Sequence, residues 1–202
     1  GVVGSLEMAT GIVESPLLVI NVNGLSAMLD GLLAVEGDFA FELQDGEVLA
    51  GINRFSADFS DSISVNNGSG ALLITAEGIA GSLSVIPSLS IAGVALSAEQ
   101  VDLEFNTLTT SVSRTLEVGG ETVVLDLPSA LSETSPYLSL VITGAVMDIN
   151  GLGDGQDVQL SGNFAFENKT VSGLGEVSLL SVSEGTLSFI NEGDSLEVTE
   201  VN

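Results

Sequence analysis

The chain has 202 residues, of which 28 are acidic and three basic, giving a formal net charge of −25. Such a charge repels nucleic acid and anionic lipid headgroups, so neither is expected as a partner. Histidine and cysteine are absent, which excludes disulfides, thiolate metal sites and the usual general base. Apolar residues still make up 45% of the chain, without a run long enough for a membrane helix, so we expect a folded protein without membrane insertion.

The chain contains internal repeats. It opens with Gly1-Val2-Val3-Gly4-Ser5-Leu6, and Gly78-Ile79-Ala80-Gly81-Ser82-Leu83 follows 77 positions later (78 minus 1). Gly37-Asp38-Phe39-Ala40-Phe41-Glu42 recurs as Gly162-Asn163-Phe164-Ala165-Phe166-Glu167, an offset of 125 (162 minus 37). Ser15-Pro16 recurs as Ser135-Pro136, an offset of 120, so residues were inserted in between, near 151–155.

These offsets predict two units, a short one at residues 1–77 and a long one at 78–202 with an extra block near 97–130. Residues 196–202 resemble 63–67, the stretch that leads into the Gly-rich part of the first unit. We therefore expect a slice of a longer tandem array, whose repeats continue past Gly1 and Asn202.

Alternation of apolar and polar residues predicts strands along most of the chain. The pattern is clear around residues 17–22, 35–41, 101–105, 138–142, 158–160, 177–179, 187–189 and 196–198. Gly119-Gly120 between two alternating runs predicts a two-residue hairpin. The best helical candidate, residues 26–33, is short and contains Gly31, which argues against more than a turn.

The sequence thus predicts an all-β fold. An elongated repeat architecture, β-solenoid-like or built of stacked antiparallel hairpins, is favoured by the short sub-repeats and the high glycine content. Two β-sandwich domains are the alternative. Phe39 and Phe41, like Phe164 and Phe166, alternate along their strands, which predicts a core-packing role for this repeat motif.

The motif Gly-Asp/Asn-Phe-Ala-Phe-Glu, the run from Asn67 to Gly81 and the run from Glu117 to Pro128 together resemble tandem repeats of giant bacterial surface or secreted, adhesin-like proteins. The resemblance covers most of the chain. It implies spacer, stalk or filament-forming modules at an extracellular location, and it implies no catalytic residues. The short first unit departs from the pattern because it lacks the Val-Gly-Gly block.

The best candidate for a metal site is the acidic, Gly-rich stretch from Asp148 to Asp157, with Asp148, Asn150, Asp154 and Asp157 as oxygen ligands for Ca²⁺. A solvated loop is the alternative interpretation. Asp58, Asp61, Asn66 and Asn67 form a weaker cluster.

No catalytic activity is expected. The single tyrosine and the absence of tryptophan and histidine leave paired carboxylates such as Asp102 and Glu104 without a partner for acid–base work. The sequence therefore favours a structural module that forms homo-oligomers, or joins neighbouring repeats, through open strand edges. A calcium-dependent adhesive or ligand-binding module is the alternative.

Overall fold

The computed structural model describes residues 3–8, 18–29, 33–60, 62–150, 156–171, 173–191 and 194–199. These residues form fourteen strands without a helix, and hence without one that could cross a bilayer. The strands are β1 (Val3–Met8), β2 (Leu18–Leu29), β3 (Leu33–Gln44), β4 (Glu47–Ser60), β5 (Ile63–Ile74), β6 (Ile79–Ile91), β7 (Val94–Ser97), β8 (Gln100–Asn106), β9 (Val112–Val118), β10 (Glu121–Leu127), β11 (Tyr137–Ile149), β12 (Gln156–Val171), β13 (Gly175–Asn191) and β14 (Asp194–Thr199).

Twelve strands form one antiparallel sheet, and β9 and β10 form a separate hairpin. Strands β7 and β8 lie in line with each other, and both pair with β6 on one side and β11 on the other. The twelve strands therefore fill eleven positions across the sheet. The all-β prediction is confirmed in its stacked-hairpin form, because every ladder between described strands is antiparallel and one sheet continues through both predicted units.

The described residues of the alternating stretches all lie in strands. Of the helical candidate at residues 26–33, residues 26–29 lie in β2 and Leu33 begins β3, while 30–32 lie outside the described residues. Gly119 and Gly120 form the predicted two-residue turn between β9 and β10, with φ values of 62° and 86°. Positive φ at both central residues is what a type I′ hairpin turn requires, and glycine adopts it without strain.

Most long strands of the sheet carry an irregularity near the middle. The register shifts across β2–β3, β3–β4, β4–β5, β5–β6, β11–β12 and β12–β13. Residues with positive φ lie at or next to these shifts: Gly24, Gly37, Arg54, Asn67, Gly144, Gly162 and Glu184. Because they sit at matching heights on successive strands, they form a row of bulges across the sheet, which we call the bulge row.

One side of the sheet is apolar from β2 to β14. Directly paired residues point to the same side, so the ladders define rows of neighbouring side chains. One row runs through Val22, Phe39, Ile52, Gly70, Leu83, Leu103, Leu140, Phe166 and Leu180. Beyond the bulge row, another runs through Ile91, Val94, Ile149, Val158, Phe189 and Leu196. We call the side that carries these rows the apolar face.

The opposite side carries most of the polar residues of the sheet, and the β9–β10 hairpin lies on part of it. There, small and aliphatic residues of β3 to β6 meet the inner side of the hairpin, and this contact forms the buried core. Val118, Leu125 and Leu127 of the hairpin are at most 2% exposed. The core residues are Ala40, Leu49, Ala71, Leu73, Ala80, Leu108, Val112, Leu116, Val118, Val123, Leu125 and Leu127.

The sequence repeat is also a structural repeat. Strands β11, β12 and β13 follow one another as β2, β3 and β4 do, and β8 pairs with β11 as β1 pairs with β2. The hairpin lies between β8 and β11, within the extra block predicted near 97–130. The unit boundaries at 77 and 78 stay a prediction, since the sheet passes from β5 to β6 without interruption.

Candidate functional site

Asp38 lies in the bulge row and is 1% exposed, although it carries a carboxylate. Its Oδ1 accepts a hydrogen bond from the backbone N–H of Gly24 at 2.7 Å. The guanidinium of Arg54 donates to Oδ2 through Nε, at 2.7 Å, and through Nη2. The Gly24 N–H is the main cause of the lowered pKa of Asp38, opposed by burial and assisted by Arg54. Asp38 thus joins β2, β3 and β4 as a buried anion.

The turn of the hairpin lies directly over Asp38. A Cβ atom at Gly119 would lie 2.2 Å from Asp38 Oδ2 and 2.6 Å from its Cγ, so only glycine fits there. A second close approach occurs at Gly51, where a Cβ would lie 2.7 Å from methyl groups of Leu116 and Val118. The contact therefore requires glycine, which has no side chain, both on the hairpin and on the sheet.

Asn163 repeats the Asp38 arrangement in the second block. Its Oδ1 accepts a hydrogen bond from the backbone N–H of Gly144 at 2.8 Å. Its Nδ2 donates to Oε2 of Glu184 at 2.8 Å. Glu184 has a φ of 55° and Arg54 a φ of 50°, so the two partner residues share a left-handed backbone conformation. The repeat thus retains the backbone contact and exchanges an ion pair for an amide–carboxylate hydrogen bond.

Asn106, at the end of β8, binds both ends of the segment that carries the β9–β10 hairpin. It is fully buried, and its Nδ2 donates to the carbonyl oxygens of Thr110 at 3.0 Å and Pro128 at 2.7 Å. Its Oδ1 accepts from the Leu108 N–H at 2.8 Å. Because every polar atom of the amide has a partner, this buried polar group stabilises the hairpin segment.

A polar cleft of about 540 Å³ lies beside β10, between the hairpin and the sheet. Serine hydroxyls and carboxylates line it, among them Ser82, Ser84, Asp102 and Glu104. The Tyr137 hydroxyl donates to Glu104 Oε2 at 3.0 Å, and burial together with this carboxylate raises the pKa of Tyr137. The cleft thus combines hydroxyl groups with carboxylates, and the Tyr137 hydroxyl holds one of these carboxylates, that of Glu104, in a hydrogen bond.

The four residues predicted to bind Ca²⁺ are only partly brought together. Asp148 lies opposite Gln159, whose Nε2 donates to its Oδ1 at 2.7 Å, and Asp157 lies two residues further along the same side of β12. The Asn150 N–H donates to the Gly93 carbonyl oxygen at 2.8 Å. Asp154 lies outside the described residues, among which no group of three or more carboxylates could hold a metal ion.

The weaker acidic cluster is only partly brought together, because Asp58 pairs with Ser64 on the side of the sheet that also carries Asn66. Asp58 is exposed on β4, and the Nδ2 of Asn66 donates to the Ser64 hydroxyl at 3.4 Å. Asn67 has a φ of 51° and belongs to the bulge row. Asp61 lies outside the described residues. Asp58 is thus the one carboxylate among the described members of this cluster.

The Phe motif lies outside the buried core that the hairpin covers, and its core-packing role stays a prediction. Phe41 is 41% exposed, while Phe39, Phe164 and Phe166 are half-buried, and all four point to the apolar face. Phe39 packs edge-to-face on Phe55, with ring centroids 6.4 Å apart. The buried core lies on the other side, under the hairpin, where Ala40 is fully buried. Alternation identified the two sides but could not tell which one the hairpin covers.

Asp38, Asn163 and Asn106 were not recognised as important from the sequence. A signal for the first two was present, because Gly24 and Gly144 each lie eight residues after the proline of the Ser-Pro repeat (24 minus 16, 144 minus 136). Conserved glycine spacing beside an Asp/Asn exchange indicates a bulge with a hydrogen-bonded side chain. Asn106 had no such signal beyond ending the alternation that runs from Val101 to Phe105.

Comparisons of this chain with protein-family models, with curated proteins and with solved structures gave no match.

Proposed function

We propose that this chain is a structural repeat module of an extracellular bacterial array, which joins neighbouring copies by strand pairing at the edges of its sheet. The observation that carries the proposal is the position of the second block. Strands β11–β13 continue the same sheet as β2–β4 and repeat the Asp38 contact as the Asn163 contact. A sheet that already grows sideways by repetition can grow further at its edges. Eleven alternating positions leave β1 and β14 running in the same direction, so head-to-tail growth places β14 beside β1 of the next copy as a parallel pair.

The edges of the sheet support this proposal. Within the described ranges, β1 pairs only with β2, and β14 only with β13, which leaves one side of each strand available. Both strands carry the pattern Ser-Leu-Glu followed by an apolar residue, at Ser5–Met8 and Ser195–Val198. An unpaired strand edge of alternating residues is a ready template for another strand. The extracellular location belongs to the proposal and derives from the adhesin-like resemblance.

Electron microscopy and sedimentation velocity of the purified protein test the proposal. Eleven strand positions at about 4.8 Å each give an expected repeat of roughly 50 Å along the growth direction. Filaments with that repeat support edge-to-edge growth. A monodisperse monomer at every ionic strength and protein concentration contradicts it.

Two adjacent proline substitutions in β14 provide the matched control. Successive N–H groups of a strand point to opposite sides, so either Leu196→Pro or Glu197→Pro removes an N–H on the free side, and the other removes one bonded to β13. We expect the variant that loses the N–H on the free side to form no filaments and to keep its sheet signal in circular dichroism. Leu196→Ala controls for the lost side chain, and equal filament formation by all four proteins refutes edge pairing.

Calcium-dependent adhesion or ligand binding is the second proposed function, favoured by one observation. The ladder between β11 and β12 brings Asp148 and Asp157 to the same side of the sheet, on the two strands that residues 151–155 connect in the sequence. Calorimetric titration with Ca²⁺ tests the proposal, with Mg²⁺ as the competing ion. We expect the Asp154→Ala, Asp157→Ala double variant to lose binding and Asp126→Ala, in the hairpin, to retain it. Absence of binding by the wild type eliminates this function.

A further inference from the structure

The apolar face extends from β2 to β14, and several of its described side chains are open to solvent. Phe41, Ile79 and Leu180 on this face are 41%, 42% and 72% exposed. They lie on β3, β6 and β13, so the exposure is spread over the width of the sheet. Soluble proteins rarely leave an apolar area of this extent uncovered, and such areas mark contact surfaces.

The described chain provides no cover for this face. The β9–β10 hairpin is the one described element outside the sheet, and it lies on the opposite side, over Ala40 and Gly51. The two rows that define the face contain no charged residue. These rows therefore offer no complementary group to an ion, a nucleic acid or a polar peptide. A second apolar surface is complementary to them.

The dimensions of the face indicate which occupant fits. Eleven positions at about 4.8 Å and about ten residues per strand at roughly 3.3 Å give an area on the order of 1,700 Å². A stable protein–protein contact needs roughly 800 Å² from each partner. The face is thus large enough for a complete interface, and its partner must present a flat apolar surface of similar area.

We propose that two copies of this chain pack face to face through their apolar faces, forming a two-layered sheet sandwich. The second copy offers a surface of matching size and polarity, and sheets that stack this way lie about 10 Å apart. Neither row carries any of the −25 charge of each copy, so packing these rows together buries none of their side chains as a charge. Salt should strengthen the contact, because it screens the repulsion between the two acidic copies. This contact is independent of edge pairing.

A concavity on the apolar face gives the contact a specific feature. It measures about 220 Å³ and lies between β7–β8 and β11–β12, lined by Val101, Ile142, Met147, Leu160 and Phe164. An apolar side chain that projects from the facing copy would fill it and fix the register of the two sheets.

Sedimentation equilibrium of single-residue variants tests the proposal. Phe41→Glu and Leu180→Glu place a charge in the contact, and we expect each to weaken association at least about 100-fold, since an unpaired charge is strongly disfavoured in an apolar interface. Val124→Glu is the matched control, because Val124 is apolar and 56% exposed but lies on the outer side of the hairpin. We expect it to associate like the wild type. Circular dichroism establishes that each variant is folded, and Phe41→Ser and Leu180→Ser replace any that is not.

The outcomes also separate this contact from edge pairing. In the edge-blocked β14 proline variant, a discrete dimer that disappears on adding Phe41→Glu supports the face-to-face contact, whether or not the wild type forms filaments. Face variants that associate like the wild type overturn it. A monomeric wild type at micromolar concentrations overturns it too, and binding of that monomer to phosphatidylcholine vesicles would assign the face to acyl chains instead.

Discussion

Strands β2–β4 and β11–β13 follow the same backbone plan but differ in what lies over them. In both blocks a glycine N–H binds an Asp or Asn side chain in the bulge row, and that side chain contacts a residue with positive φ on the next strand. The first block carries the hairpin on its polar side, and Asp38 beneath it is 1% exposed. In the second block Asn163 is half-buried. The shared plan builds the sheet, and the differing side chains decide what covers it.

The residue at one ladder position explains why the hairpin fits the first block. Ala40 pairs with Gly51, and the repeated Ala165 pairs with Ser181. Leu116 and Val118 of the hairpin occupy the space above Gly51 that a Cβ would take. Ser181 has a side chain at the matching position and is exposed. Glycine thus marks the covered block, and serine the open one.

Removing the bulge-row side chain should separate the two blocks most strongly. We expect Asp38→Ala to lower the free energy of unfolding by about 3 kcal/mol, because it removes three charge-assisted hydrogen bonds at a buried site. Asn163→Ala should lower it by about 1 kcal/mol, since it removes neutral or exposed bonds. Urea unfolding of dilute protein, followed by circular dichroism, measures both. Equal losses of unfolding free energy in the two variants would mean that the hairpin does not increase the contribution of Asp38 to stability.

The strands were predictable from the sequence because alternation has a local cause. Each strand separates an apolar side from a polar side, and that pattern is present in consecutive residues such as Val101 to Phe105. The turn at Gly119-Gly120 was predictable for the same reason. The choice of the covered side was not, because it depends on how the hairpin folds over strands that precede it by more than 60 residues (116 minus 51).

The candidate site was predictable only as a repeat. The sequence identifies Gly37-Asp38 and Gly162-Asn163 as matching positions, but the importance of Asp38 follows from contacts with Gly24 and Arg54 on two other strands. Phe39 and Phe41 attract more attention in the sequence because they are large. The structure shows that small residues, Ala40 and Gly51, lie at the buried contact.

Adding a side chain under the hairpin should produce the second largest difference. Gly51→Val forces Leu116 and Val118 to move, and we expect a loss of about 2 kcal/mol. Ser181→Val, at the matching exposed position, should change stability by less than about 0.5 kcal/mol. Thermal and urea unfolding measure the change. Adding Leu116→Ala to Gly51→Val should recover part of the loss, and failure to do so would show that the strain lies elsewhere.

Exchanging the chemistry of the two bulge-row sites should sharpen the comparison further. Asn163→Asp places a carboxylate beside Glu184, and we expect a loss of about 1 kcal/mol from like-charge repulsion. Adding Glu184→Arg recreates the Asp38–Arg54 pair in the second block and should restore wild-type stability or better. Urea unfolding of the single and double variants gives the coupling. A double variant no more stable than Asn163→Asp would show that the two sites differ in backbone geometry as well as in charge.

The smallest expected difference appears only in acid. The pKa of Asp38 in the folded protein lies below its ordinary value of 3.8. Folding therefore favours the ionised form of this carboxylate. Its stabilising contribution is therefore complete above about pH 4 and declines as the pH falls through the lower, folded-state pKa. Asn163 does not titrate, and the second block should lack this contribution.

Asp38→Asn isolates the effect, because the new amide can accept the Gly24 N–H as Asn163 accepts that of Gly144. The stability difference between wild type and Asp38→Asn should be constant above pH 5 and shrink as the pH falls below about 4. The other carboxylates change both proteins equally, so the difference reports Asp38 alone. Hydrogen exchange of the β9–β10 amides locates the loss, and a difference that stays constant down to acid pH would mean that Asp38 is not ionised beneath the hairpin.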